Sequence, residues 1–374
     1  MINNFFFNKK QEKPRILVSP LDWGLGHATR CIPIIRELIK QNCEIFIASD
    51  KKIFSLLKEE FPDVAFLQLK GYQIRYSNRK RLFAAAIVFQ LPKILLAIRN
   101  ENKWLKRSIK EYRIDAVISD NRFGMYSKII PSVYITHQLF IRTGNRASER
   151  IAQTIHNFFI RKYTSCWVPD FKEDGLAGAL SHPGRTTSNV VYIGPLSRFQ
   201  KIPGIEKEID ILFCLSGPEP QRTIFEKLVL SQLNNYRGKA LIVRGLPGHP
   251  EILPAPSPSV SSVNHLSGRA LNQAFEKSKM VISRSGYTTI MDLVQLGKRA
   301  ILIPTPGQGE QEYLAKYLSE KKYFFSTEQK SFSLENALNQ ERDFSPAAPD
   351  LRAEEYKKVI DEFVLSLKTA NFAS

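Results

Sequence analysis

The sequence predicts an α/β protein built from two doubly wound halves that face each other across a cleft. Three observations carry this reading. Short apolar runs alternate with helix-like stretches. The alternation lapses in a region rich in Gly, Pro, Ser and Arg between Asp174 and Gly204, and then restarts. A chain of 374 residues also exceeds what one hydrophobic core usually organises.

In the first half, Arg15-Ile16-Leu17-Val18-Ser19 reads as a buried strand followed by a Gly-containing turn. A helix comes next, with Ile32, Ile35, Leu38 and Ile39 on one face. Cys43–Ser49 is a second strand, Lys51–Glu60 a helix and Val64–Leu69 a third strand. Asp115–Ser119, Val133–Thr136 and Val190–Gly194 continue the series, and the junction falls at Pro195–Gly204. In the second half, strands Ile209–Ser216, Ala240–Arg244, Met280–Arg284 and Ala300–Pro304 alternate with helices Gln221–Leu233, Arg269–Lys277, Thr288–Leu296 and Gln311–Glu320. Pro250–Pro258 reads as a surface loop, and Ala353–Leu367 as an amphipathic helix placed to pack back across the junction. The expected division is a flexible tail 1–14, a first domain 15–198, a second domain 199–350 and a C-terminal helix 351–374.

Four turns at strand ends carry groups suited to a ligand. Asp22-Trp23-Gly24-Leu25-Gly26-His27 lets Gly24 and Gly26 bring backbone close, and places His27 at a helix opening, where the dipole favours a neutral, proton-accepting imidazole. Its spacing departs from the dinucleotide fingerprint, because Thr29 stands where a third glycine is needed. Ser216-Gly217 opens a second turn whose amides can cradle phosphate, although Pro218 and Pro220 each remove a donor. Ser283-Arg284-Ser285-Gly286-Tyr287-Thr288 combines backbone N–H groups, hydroxyls and a guanidinium that fits diphosphate oxygens, with Asp292 further along the helix for ribose hydroxyls. Gln308, Gln311 and Glu312 flank the next helix start, where amides and a carboxylate can read sugar hydroxyls; Glu310 and Glu312 also suit the helix dipole alone. Asp120-Asn121-Arg122 and Thr136-His137-Gln138 end first-domain strands and are candidates for contact with an acceptor, here Asp120, Asn121 and His137.

Residues His265 to Ala315 resemble the C-terminal domain of family 28 glycosyltransferases. The resemblance rests on Leu266-Ser267-Gly268, Arg284-Ser285-Gly286, Asp292 and Gln311-Glu312 in order, with Gly26-His27 matching the family's first loop. It implies the GT-B architecture, a UDP-sugar donor held mainly by the second domain, and direct inverting transfer of a hexosyl group without a metal or cofactor. By carry-over, Leu266, Ser267 and Gly268 meet the base, Asp292 the ribose, Ser285 and Gly286 the diphosphate, and Gln311 with Glu312 the sugar. The first loop is Asp-Trp-Gly-Leu-Gly-His rather than a Gly-Gly-rich form, the second loop lacks the family's glycine pair, and Glu312 replaces an amide. A nucleotide-sugar epimerase of the same architecture is the first alternative, and a basic nucleic-acid-binding protein, motivated by charge alone, the second.

With 54 Lys and Arg against 36 Asp and Glu, the formal charge is +18, which favours polyanionic partners. No recognition-helix or base-stacking pattern accompanies it, so nucleic acid is not expected. Segment 75–113 mixes Lys and Arg with Leu, Ile, Phe and Trp. It is either a crossover helix with a solvated basic face or a surface for an anionic membrane bearing a lipid-linked acceptor. Cys31, Cys43, Cys166 and Cys214 are scattered without metal-ligand spacing, and read as small buried hydrophobes. No apolar run is long enough to span a membrane or form a signal core, which predicts a cytoplasmic protein, peripheral at most on the inner face of the plasma membrane.

Overall fold

The computed structural model describes residues 13–22, 24–71, 83–142, 145–184, 186–249, 257–344 and 355–370. The Phe-rich start of the tail, most of the Pro-rich loop and the basic stretch 75–82 lie outside the described residues, as do the side chains of 83–91.

Strands β1 (Arg15–Pro20), β2 (Glu44–Ser49), β3 (Ala65–Gln68), β4 (Ala116–Asp120), β5 (Ser132–Ile135), β6 (Ser165–Val168) and β7 (Val190–Tyr192) form a sheet of order β3-β2-β1-β4-β5-β6-β7. Every neighbouring pair is parallel. Helices α1 (Leu25–Lys40), α2 (Lys51–Glu60), α3 (Phe83–Tyr112) and α4 (Arg146–Ile160) connect them. Burial on both faces explains the unbroken apolar runs: Ile16, Leu17 and Val18 have no exposed surface. Strand β1 pairs with both β2 and β4, so the strand order reverses there, and the register sets Pro20 beside Asp120 at the carboxyl end. Open α/β sheets bind ligands at such a reversal.

The second sheet repeats the device. Strands β8 (Ile209–Cys214), β9 (Ala240–Val243), β10 (Val260–Val263), β11 (Ser278–Ser283), β12 (Ala300–Leu302) and β13 (Phe325–Ser326) have the order β10-β9-β8-β11-β12-β13, all parallel. Its reversal lies between β8 and β11. Helices α5 (Gln221–Leu233), α6 (Gly268–Lys277), α7 (Tyr287–Leu296), α8 (Gly309–Glu320) and α9 (Leu334–Asp343) complete this half. The last helix, α10 (Glu355–Ala370), lies against the first domain: Phe363 meets Trp167 edge-on at 5.4 Å, and Lys368 donates to the Gln41 carbonyl.

One apolar cluster runs from Ile32 and Ile35 of α1 through the junction to Ile290, Met291 and Leu293 of α7. Phe199 in the junction packs on Phe275 at 5.2 Å. The domains therefore share a hydrophobic contact, and the polar cleft sits above it.

Some elements differ from the sequence reading. Helix α4, strand β6, strand β10 and helix α9 have no counterpart in the apolar alternation. The β10 sequence, Val-Ser-Ser-Val, carries no apolar run, and it is a strand because β9 supplies a parallel partner. Ile39 is 41% exposed, at the edge of the α1 stripe rather than within it. Cys31, Cys43 and Cys166 are buried, whereas Cys214 is half-buried.

Candidate active site

Both strand-order reversals open into one cleft. Gly24 has φ 144°, in the left-handed region that glycine tolerates, and it caps α1. His27 follows in the first turn of that helix, while Asp120 ends β4 beside it. His27 Nδ1 stands 2.8 Å from Asp120 Oδ1. Arg30, one turn along α1, bonds both oxygens of the fully buried Asp120. Burial opposes ionisation of Asp120, but Arg30 and then His27 outweigh it and hold the carboxyl at about 2.

That anion fixes the tautomer of His27. Arg30 Nη2 also lies 2.8 Å from His27 Nδ1, with one of its two hydrogens on Asp120 Oδ1. The ionised oxygen at hydrogen-bond distance favours a proton on Nδ1, the nitrogen facing it, which leaves Nε2 its lone pair. Burial, and after it Arg30, lower the pKa of His27 from its ordinary value, with Asp120 opposing. The result is a neutral imidazole, 19% exposed, whose Nε2 has no protein partner among the described residues. It is equipped to accept a proton from a hydroxyl.

Helix α7 faces this base from the second domain. Its cap residue Gly286 supplies no side-chain acceptor, so the first N–H groups of α7 stay available to an anion. A Cβ built on Gly286 meets nothing within 4 Å, which leaves the approach open. Thr288 Oγ1 lies 3.4 Å from the Gly26 carbonyl oxygen, and a Cβ on Gly26 would come within 3.0 Å of that hydroxyl. The two domains therefore meet at the turn that carries His27.

The remaining second-domain residues lie on the turns and helices that follow β8, β10, β11 and β12. Ser285 is buried and its hydroxyl donates to the Gln311 carbonyl at 2.8 Å. Gln311 Oε1 accepts from Thr305 N–H at 2.9 Å, which leaves Nε2 without a partner among the described residues. Glu312 Oε1 accepts from Gly307 N–H at 2.7 Å, and half-buried Gln308 caps α8. Ser267 caps α6 by accepting from Ala270 N–H at 3.3 Å, with Leu266 and Gly268 half-buried beside it. A Cβ on Gly268 would lie 3.4 Å from Glu60 Oε2, so this loop looks toward the first domain. Ser216 and Gly217 form an exposed turn after β8. Asp292 is buried on α7 and accepts from Ser197 Oγ in the junction; burial lifts its carboxyl to about 6 against the opposing pull of Arg198.

Several sequence expectations need correction. Arg284 does not offer its fork to a ligand. It is 1% exposed, and its terminal nitrogens donate to the carbonyls of Ile303, Pro304 and Gln221 and to Gln329 Oε1. Its guanidinium also stacks 4.4 Å from the Phe225 ring. Asp120 is held by Arg30 and His27 and has no surface for an acceptor. His137 is engaged on both ring nitrogens, by Arg30 at 3.1 Å and Glu310 at 2.7 Å, and lies flat against Tyr287. Asn121 takes φ 54° and accepts from Tyr134 OH, while Arg122 is fully buried on Glu101 and the Pro20 carbonyl. Conversely, Arg30, Glu310 and Tyr287 belong to the site without having been singled out for it. Arg30 carried one usable signal: it follows His27 by three residues, on the same helix face.

Two parallel doubly wound domains meeting at a cleft between their strand-order reversals are the GT-B architecture, and the chain is a glycosyltransferase. Residues 268–363 match the family model of the glycosyltransferase family 28 C-terminal domain. A curated relative from Haemophilus ducreyi, described as UDP-N-acetylglucosamine–N-acetylmuramyl-(pentapeptide) pyrophosphoryl-undecaprenol N-acetylglucosamine transferase, is 22% identical over 84% of this chain and 85% of its own. Among solved structures, MurG from Acinetobacter baumannii aligns with TM-score 0.53 at 14% identity, covering 96% of this chain and 95% of that one. UGT89C1 from Arabidopsis thaliana, complexed with UDP-L-rhamnose, aligns with TM-score 0.62 at 11% identity, covering 95% and 99%. Among the described residues, no group of three or more His, Cys, Asp or Glu is placed to hold a metal ion, and no helix is long and apolar enough to cross a membrane.

Proposed function

We propose that the protein transfers a hexosyl group from a UDP-sugar to a hydroxyl acceptor by a single inverting displacement. The observation that carries this is the neutral His27, fixed by Asp120 and facing the open N-terminus of α7. The acceptor hydroxyl attacks the anomeric carbon from the face opposite the diphosphate. Its proton passes to His27 Nε2 as the new C–O bond forms. The bond from the anomeric carbon to the diphosphate oxygen breaks, and its electron pair leaves with UDP. The N–H groups of Gly286 and the first turn of α7 meet the negative charge that develops there, before any solvent needs to reorganise.

The donor would lie along the second domain. In this reading the loop Leu266–Gly268 takes the base, Asp292 the ribose hydroxyls after exchanging its bond to Ser197, and Gln308, Gln311 and Glu312 the sugar. Ser216 and Gly217 flank the phosphates from the β8 side. The name of the Haemophilus ducreyi relative supports a lipid-linked acceptor. So does the surface: α3 exposes Leu95 and Leu96, and α4 exposes Ile151 and Phe158, on a chain of formal charge +18. An anionic membrane at the cytoplasmic face would then be a partner, with aliphatic side chains inserted among basic ones. The family match favours transfer over epimerisation of the donor.

A thermal-shift screen against UDP-, GDP- and dTDP-sugars tests the donor, because a ligand held by the folded state raises its melting temperature. UDP-sugars should give the largest rise. No rise with any nucleotide-sugar would sink the proposal, and a new epimer made from donor alone would turn it toward the epimerase.

A further inference from the structure

Glu310 opens helix α8 of the second domain, yet its Oε1 accepts a hydrogen bond at 2.7 Å from His137 of the first. The other ring nitrogen of His137 faces Arg30 Nη1 at 3.1 Å. Arginine only donates, so Nδ1 of His137 accepts and its proton sits on Nε2, aimed at Glu310. Arg30 bonds both oxygens of Asp120, and Asp120 holds His27. Glu310, His137, Arg30, Asp120 and His27 thus form one unbroken chain across the cleft, and its three middle members are buried. His137 is further held flat against Tyr287 of α7, with ring centroids 4.3 Å apart and planes 7° from parallel. The Tyr287 hydroxyl donates to the Pro169 carbonyl of the first domain at 2.8 Å.

We propose that Glu310 is a positioning residue for the His27 base, acting through His137 and Arg30, so that the base is fully assembled only when the second domain docks on the first. This rests on the reading of His27 as the base.

Geometry and charge both support it. Arg30 Nη2 stands 2.8 Å from His27 Nδ1 and competes with that nitrogen for Asp120. The bond from Nη1 to His137 holds the fork on Asp120, whose Oδ1 is shared by Arg30 Nη2 and the imidazole N–H of His27. The charged and titratable groups facing His27 are Arg30 and Cys31 of α1, Asp120 of β4, His137 after β5, Tyr287 of α7 and Glu310 of α8. Burial works against an ionised Glu310, but His137 and Arg30 prevail and keep its carboxyl below its ordinary value. The Asp120 carboxylate favours the positive charge that His27 gains when it takes the acceptor proton, Arg30 and His137 oppose it, and the Glu310 carboxylate supplies a second anion. Without Glu310 that second anion is lost and the base weakens.

The test uses the full chain and the variants Glu310→Ala, Glu310→Gln, His137→Phe and Glu310→Ala with His137→Phe. Three quantities are read: UDP released from a UDP-sugar, donor dissociation constant, and the NMR titration of the His27 ring. Glu310→Ala should slow release roughly tenfold, the scale of one charge-assisted hydrogen bond, with donor affinity unchanged. It should also move the His27 titration to lower pH. Glu310→Gln keeps an acceptor for His137 and should lose less turnover. In the His137→Phe background, Glu310→Ala should add nothing further. Additive losses, a donor affinity that falls as far as turnover, or an unmoved His27 titration would overturn the proposal. The titration needs no turnover, so a wild-type chain that releases no UDP would sink the transferase reading and leave this coupling to be decided by NMR.

Discussion

Asp120 Oδ1 stands 2.8 Å from His27 Nδ1, and the two residues reach that distance because β1 and β4 pair in a register that sets Pro20 beside Asp120. The helix that carries His27 leaves β1 immediately after this seam. The pair therefore depends on backbone pairing rather than on flexible side chains, and Arg30 fixes its electrostatics.

Replacing the carboxylate should uncouple chemistry from binding. Asp120→Asn leaves a neutral amide, removes the anion that selects the Nδ1–H tautomer and leaves Arg30 buried without its counter-charge. Transfer should fall by roughly 10²–10⁴, the range associated with a positioned general base. Donor affinity in the folded variant should be unchanged. Kinetics beside calorimetric donor binding check this, and equal losses in both would contradict it.

The acid limb of the rate profile should lie low. His27 works only when neutral, and its pKa is lowered by burial and by Arg30. Rate should therefore hold as pH falls through the usual imidazole range, and decline only below it. A turnover profile at saturating donor checks the sign; a limb displaced upward would mean that Asp120 wins over burial.

A side chain at Gly26 should crowd Thr288 across the cleft. An added Cβ would come within 3.0 Å of Thr288 Oγ1, so that side chain must give by a few tenths of an ångström at the contact between α1 and α7. Gly26→Ala should weaken the docked arrangement by roughly 1–3 kcal/mol, the scale of overpacking, and lower turnover accordingly. Adding Thr288→Ala removes the hydroxyl and should restore part of the loss. Equal activity of the single and double variants would contradict the contact.

Arg284 separates a structural role from a ligand role. Its cation is buried, its pKa is lowered to about 10 by burial, and its partners are carbonyls and one amide. Arg284→Met should lower the melting temperature by several degrees, since it orphans buried acceptors. Donor affinity of the folded variant should stay within about twofold of wild type, a few tenths of a kcal/mol. A large loss of affinity without loss of stability would return Arg284 to the diphosphate.

Asp292 should trade stability for function. Its folded carboxyl titrates near 6, above its ordinary value, because it is buried. Between its unfolded and folded values the native state binds more protons, so stability should fall as pH rises through that window and level off above about 6. Asp292→Asn should flatten this slope and raise stability at pH 8 by roughly 1–3 kcal/mol, given about 1.4 kcal/mol for each pH unit. It should also weaken donor binding if the carboxylate takes the ribose. Denaturant melts at several pH values beside donor titrations check both halves.

The sequence carried the fold because buried parallel strands are short apolar runs between helices, as in Ile16-Leu17-Val18 and Val281-Ile282. It also carried the Gly24–His27 turn and the start of α7, since a helix opening after a strand has local punctuation. The pairing of His27 with Asp120 was out of reach: both were candidates, but 93 positions separate them and only the sheet brings them together. Glu310 was legible as a helix-dipole residue, and nothing in its neighbours announces His137 across the cleft. Arg284 misled because a cation at a strand end looks the same in sequence whether it turns toward ligand or toward Phe225.

The most direct measurement is the rate of UDP release from a bound UDP-sugar, with water as acceptor, in wild type and in His27→Ala at saturating donor. Wild type should release UDP, and His27→Ala should lose at least roughly 10²-fold in rate with an unchanged donor dissociation constant. Equal rates in the two proteins would contradict it.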